Sequence, residues 1–307
     1  MIFINKERLK EIVLFNGKNR NDILSDLDKF YQKNDLKFGE LIPDLYLLAK
    51  ANLTVDGNYL IRMPLKSNVM GAIYRKIGNK IYIVVNSAKK LADNNFALAH
   101  ELYHYYCPHE SLNNTNIDIY FFTYETNQED LRANAFAGNL LMPEESFIKW
   151  QKKLTRIFEE IPDEVYKPLE PDDIYVAKAT TRIIFLMLYF RTTFMSVLIR
   201  CCELGFLDYS DDRIEKIMMY NDDEMIKKYI DIYSQTTSLD MSALMECTYV
   251  DDLKHIKARI TDNLKQYVEL DIMDPENVQY NLEVLSEMIA KATVTQDGNL
   301  SGDSNGH

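Results

Sequence analysis

NNFALAHELYHYY, residues 94–106, carries the pattern from which the rest of the chain can be placed. Two asparagines precede a run with helical periodicity, which predicts a helix from about Phe96 to Tyr106. Within it, His100-Glu101-Leu102-Tyr103-His104 is an H-E-x-x-H phrase. Spacing i, i+4 sets both imidazoles on one helical face, near enough to share a metal ion. Glu101 projects beside that face, where its carboxylate can reach a water held by the metal without being a ligand itself. Zn²⁺ in such a site lowers the pKa of water to roughly 7, and the glutamate can take the proton as a carbonyl is attacked. The flanking Phe96, Ala97, Leu98, Ala99, Leu102 and Tyr103 make this a buried helix. Buried imidazoles need polar partners, and a metal supplies one.

Upstream, GAIYRKIGNKIYIVVN at 71–86 is two β-rich runs parted by Gly78-Asn79, a hairpin signal in which Ile81, Ile83 and Val85 share one strand face. Downstream, Ala133, Phe136, Ala137, Leu140 and Leu141 fall at helical spacing and predict a second helix over Gln128–Leu141, ended by Pro143. A catalytic zinc needs a third protein ligand, and this second helix offers Glu129 and Asp130. Neighbouring residues on a helix diverge by about 100°, so one ion takes only one of them. Periodicity does not choose between the two.

NNFALAHELYHYY, followed by DLRANAFAGNLLMP at 130–143, resembles the ImmA/IrrE family of metallopeptidases. There, a phrase like F-x-x-A-H-E-x-x-H precedes E-x-x-A-N-x-F-A-x-x-L-L-M-P. The resemblance covers roughly residues 35–145 and includes IYIVVN at 81–86, which is similar to the strand leading into the family's active-site helix. It implies a zinc endopeptidase (Mn²⁺ or Fe²⁺ being the other candidate ions) with His100, His104 and a third acidic ligand on the metal and Glu101 as general base. The family's third ligand is a glutamate three positions before the Ala-Asn pair. Here that position is Asp130, one methylene shorter, so Asp130 is the preferred third ligand and Glu129 the alternative. Asn134 fits a hydrogen bond that fixes a ligand imidazole, or a helix-packing amide. The resemblance further implies a protein substrate, a repressor-like helix-turn-helix protein whose cleavage relieves transcriptional repression in mobile-element or stress programmes. The competing expectation is a catalytically silent, metal-containing regulator or a toxin–antitoxin-type binding partner.

LYFRTTFMSVLIRCCELGFLD at 188–208 resembles the helix-turn-helix-like segment that follows the peptidase core in this family, with Thr193 capping the second helix and Gly205 just past its end. Over Tyr175–Leu204, Lys178, Arg182, Arg191 and Arg200 stand against Glu203, a surplus of only three, and Met195, Val197, Leu198 and Ile199 are apolar, so packing is favoured over direct DNA contact. Of the chain's 20 tyrosines, none of Tyr103, Tyr105 and Tyr106 is singled out as an oxyanion donor. Cys107 and Trp150 read as buried packing residues.

The whole chain of 307 residues has 35 Lys+Arg against 47 Asp+Glu, a net charge of −12 that argues against general nucleic-acid binding. Its length suggests two folded units, and ten Gly and eight Pro are few enough to favour helix. The expected fold class is α+β: a small twisted sheet packed on the H-E-x-x-H helix and a second metal-ligand helix, in a peptidase domain over 1–165. A helix-turn-helix-like module at 170–210, a helical extension at 211–292 and a disordered tail at 293–307 follow. KPLEPDD at 167–173 reads as a linker. IIFLMLYF at 183–190 is far short of the roughly 20 residues of a membrane span. The start does not read as a signal peptide, and the four cysteines show no disulfide framework, so the expected location is cytoplasmic, with no membrane partner.

Overall fold

The computed structural model describes residues 4–63, 71–77, 80–107, 128–160, 170–234 and 240–245, with isolated positions between 261 and 283. The fold is α+β, mostly helical with one three-stranded mixed sheet. Two compact units divide these elements.

The smaller unit holds a helix, α3 (Leu45–Val55), and the strands β1 (Tyr59–Met63), β2 (Ala72–Ile77) and β3 (Lys80–Asn86). Strand order is β1-β3-β2: β1 runs parallel to β3, and β2 antiparallel to it. Ile77 pairs with Lys80 and Ala72 with Val85, as the expected hairpin requires. Its turn, Gly78-Asn79, lies outside the described residues. Being central, β3 is buried from Tyr82 through Asn86 on both faces, not only on the Ile81-Ile83-Val85 face. Strand β1 was not anticipated. Its five residues are too few to show a period, and Arg62 interrupts them. Arg62 is nonetheless buried, with its guanidinium stacked 3.7 Å from the Tyr46 ring centroid. Asn58 sets the register by accepting a 2.9 Å hydrogen bond from the Ile81 amide.

The larger unit comprises α1 (Lys6–Lys18), α2 (Arg20–Lys33), α4 (Leu91–Tyr106), α5 (Gln128–Leu141), α6 (Glu144–Glu159), α7 (Pro171–Phe190), α8 (Phe194–Glu203), α9 (Arg213–Met218) and α10 (Asp223–Ser234), with a 3₁₀ turn at Ser242–Leu244. Helix α4 begins five residues before the expected Phe96. Its first amide, at Leu91, donates to the Met245 carbonyl at 2.9 Å, so a distant segment supplies the partner that the local sequence lacks. Helix α5 has the expected bounds. It packs along α4 through Ala133, Phe136, Ala137 and Leu140, all essentially inaccessible. Phe136 is the pivot: its ring meets Phe30 of α2 at 6.2 Å and Tyr103 of α4 at 5.7 Å.

Helices α7 and α8 meet at a 110° bend. Arg191 turns the chain in the left-handed region at φ 49°, and Thr193 caps α8 by accepting from the Ser196 amide. Gly205, at φ +71°, closes α8 with bonds from residues 205 and 206 back to Cys202 and Cys201. Trp150 is only half-buried, correcting the expectation that it is core. It lies against Tyr189 with centroids 4.2 Å apart and carries Lys153 on its face. The expected linker at 167–173 is corrected in its second half, where Pro171, Asp172 and Asp173 form the first turn of α7; residues 161–169, most of 246–292 and the expected tail at 293–307 lie outside the described residues. No single described helix is long and apolar enough to cross a membrane.

Candidate metal centre

Helix α4 buries both histidines of the H-E-x-x-H phrase, and their Nε2 atoms lie 3.3 Å apart. Two nitrogens held at 2.0–2.1 Å from one ion at a tetrahedral angle are separated by about 3.3–3.4 Å. The imidazole pair therefore already has the spacing of shared ligands. Asp130 Oδ1 lies 3.9 Å from His100 Nε2. One ligand atom from each of His100, His104 and Asp130 falls within 4.8 Å of the others.

Helix α5 supplies further partners to the same rings. His100 Nδ1 lies 2.9 Å from Asn134 Oδ1, so Nδ1–H donates and the Nε2 lone pair is left for a metal. Glu129 Oε1 stands 3.6 Å from Nδ1 of His104, on the far side of that ring from His100. The two acidic residues thus reach different nitrogens, a division that one-dimensional spacing could not reveal. Glu101 is almost fully buried, and its Oε2 has no hydrogen-bond partner among the described residues.

The electrostatics follow from burial in an acidic enclosure. Burial, helped by neighbouring His104, pulls His100 down to about 3, so it is neutral at physiological pH. Burial pushes Glu101 up to about 7. His104 is drawn down by burial, but its contact with Glu129 and the charges of Glu101 and Asp130 outweigh this and raise it. Three carboxyl groups, Glu101, Glu129 and Asp130, thus surround two imidazoles. The donor set of His100, His104 and Asp130 fits a divalent cation, which these residues would hold.

The other candidates turn elsewhere. Cys107 is buried, with Sγ 4.0 Å from the Asp26 carbonyl. Tyr105 and Tyr106 lie under the Lys33 ammonium, and Tyr106 exchanges hydrogen bonds with Asn34 of the turn after α2. His109 and Glu110, which follow Pro108 just past the helix and read as a solvated turn from the sequence, lie outside the described residues.

With this geometry in place, the comparison with known families is informative. The family model described as the IrrE N-terminal-like domain, Peptidase_M78, matches residues 58–200. That span contains the β-sheet, the H-E-x-x-H helix, α5, α6, α7 and all but the last three residues of α8. Over these residues the chain is similar to the ImmA/IrrE-type metallopeptidases, a class whose chemistry implies a divalent metal. No curated protein and no solved structure matches it significantly.

Proposed function

We propose that the chain is a zinc-dependent endopeptidase that cleaves a repressor-like helix-turn-helix protein and so relieves transcriptional repression, acting in the cytoplasm. The observation that carries the chemistry is the 3.3 Å pairing of the His100 and His104 Nε2 atoms with Asp130 Oδ1 alongside. His100, His104 and Asp130 hold the metal in this reading, with zinc favoured over manganese or iron by the imidazole-rich donor set. A bound ion there supplies Lewis acidity, which acidifies water and polarises the scissile carbonyl. Glu101 takes the proton from the attacking water and returns it to the leaving amine. In the metal-free chain burial pushes that carboxyl up to about 7. Asn134 holds His100 in the tautomer that offers Nε2.

The substrate class rests on the family resemblance and on the mobile-element or stress programmes it implies. Direct DNA reading by α8 is disfavoured on physical grounds. Its basic residue Arg200 is buried and paired with Glu203 at 2.8 Å, leaving no guanidinium for phosphate. One observation favours a second reading, that of a catalytically silent metal-binding regulator or toxin–antitoxin-type partner: the short Asp130 side chain stands farther from His100 than the imidazoles stand from each other.

Co-expression with the repressor-like protein encoded nearest to this gene, followed by intact-mass analysis of that protein, separates the two. A fragment produced by the wild type and absent with Glu101→Gln, which retains the metal, is the expected result. An intact partner that co-purifies with the wild-type chain would replace the peptidase by the binding module.

A further inference from the structure

We infer that Glu129 is a positioning residue for His104: its carboxylate accepts the Nδ1 proton, so that Nε2 is the nitrogen turned to the metal. The inference rests on the metal-site reading above and adds to it a task for a residue that is not itself a ligand. Glu129 and Asp130 are consecutive on α5, so their side chains leave the helix about 100° apart. Asp130 is directed to the Nε2 side, 3.9 Å from His100 Nε2. Glu129 reaches behind the second ring instead, its Oε1 3.6 Å from His104 Nδ1, an ion-pair separation slightly longer than a hydrogen bond. Asn134, one turn further along α5 from Asp130, stands behind the His100 ring in the same way and accepts a hydrogen bond from its Nδ1 at 2.9 Å.

One helix therefore serves both imidazoles of the other: a neutral amide behind His100 and a charged carboxylate behind His104. A carboxylate on Nδ1–H fixes the tautomer, orients the ring and makes Nε2 a stronger donor. The arrangement gives a reason for the acidic pair in QEDLRAN at 128–134. The shorter aspartate binds while the longer glutamate spans the greater distance around the ring.

The test uses the full chain, stripped of metal and titrated with Zn²⁺ against a chromophoric chelator, for the wild type, Glu129→Leu, Glu129→Gln and Asp130→Ala. Glu129→Leu should weaken Zn²⁺ binding by about 10–100-fold, the usual effect of removing such an outer partner. Glu129→Gln, whose amide oxygen can still accept from Nδ1–H, should recover most of that loss. Asp130→Ala should lose more than Glu129→Leu. Long-range ¹H–¹⁵N spectra of the zinc-loaded chains supply a readout that a merely structural role would not move. The His104 Nδ1–H resonance should shift or exchange away in Glu129→Leu, while that of His100 stays in place.

Wild-type affinity in Glu129→Leu with an unmoved His104 resonance would overturn the inference. So would a loss in Glu129→Leu as large as that in Asp130→Ala, which would make Glu129 a ligand. A wild-type chain that takes up no Zn²⁺ would overturn the metal-site reading, and this inference with it.

Discussion

Glu101→Gln should stabilise the metal-free protein, and the gain should appear only as the pH rises. Burial pushes the Glu101 carboxyl from its ordinary 4.5 up to about 7. Between these values the folded protein keeps the proton and the unfolded chain has released it. The unfolded state therefore binds fewer protons in this window, and stability falls as pH increases through it. At roughly 1.4 kcal/mol per pH unit, the interval amounts to on the order of 3 kcal/mol, fully lost above pH 7. Glutamine has the same shape and no charge to bury, so it escapes this loss. Against a typical domain stability of about 5–15 kcal/mol, the effect is large. His100, pulled down to about 3, has the opposite dependence, losing stability as pH falls below 6.5, and is common to both chains; the Glu101 charge also helps to raise His104, so the slope of the difference belongs to the Glu101–His104 pair. The assay is urea unfolding, followed by circular dichroism, of both chelator-treated proteins at several pH values from 4.5 to 8. Any constant offset between glutamine and protonated glutamate is irrelevant, because the slope carries the test. A difference that stays flat across this range would refute the claim that Glu101 is held in a desolvated, proton-retaining site.

Phe136→Ala should destabilise the chain by about 3–5 kcal/mol, because a fully inaccessible ring packed against α2 and α4 is replaced by a cavity; a loss under about 1.5 kcal/mol in chemical denaturation would show that these helices repack without it. Cys107, Cys201 and Cys202 are buried, with the Cys107 and Cys202 thiols pushed up to about 12 by burial. Peptide-mapped alkylation at pH 8 should accordingly label these three only after denaturation, and rapid labelling of the native protein at any of them would contradict the packing described.

The elements that could be read from sequence are those whose cause is local. Helix α5 has its period, its acidic first turn and a terminating proline within one window, and its bounds came out as expected. The hairpin partners β2 and β3 likewise carry their own turn signal. Strand β1 does not: it is paired by β3 in parallel, across a connection that contains β2, and five residues with a buried arginine show no alternation. The early start of α4 has the same origin. Leu91 opens the helix because residue 245 accepts its amide, a partner more than 150 residues away in sequence. Trp150 misled in the opposite sense, since a large aromatic on an amphipathic helix can be half-covered by a single neighbour, here Tyr189.

The metal centre divides along the same line. Spacing i, i+4 is a property of one helix, so His100 and His104 could be paired without knowing what surrounds them. The roles of Glu129 and Asp130 depend instead on the rotational phase between two helices. A helix fixes the angle between its own neighbours, about 100°, but not which of them faces an adjacent axis. That phase is set by packing: with Ala133, Phe136, Ala137 and Leu140 all inaccessible, α5 has little freedom to roll on α4. A roll large enough to exchange the two carboxylates would bring Phe136 out from between Phe30 and Tyr103. The core residues of α5 thus decide which carboxylate lies beside Nε2 and which lies behind Nδ1. A sequence pattern that names the family's third ligand by position encodes that same phase indirectly, which is why the motif pointed to Asp130 where helical periodicity alone could not.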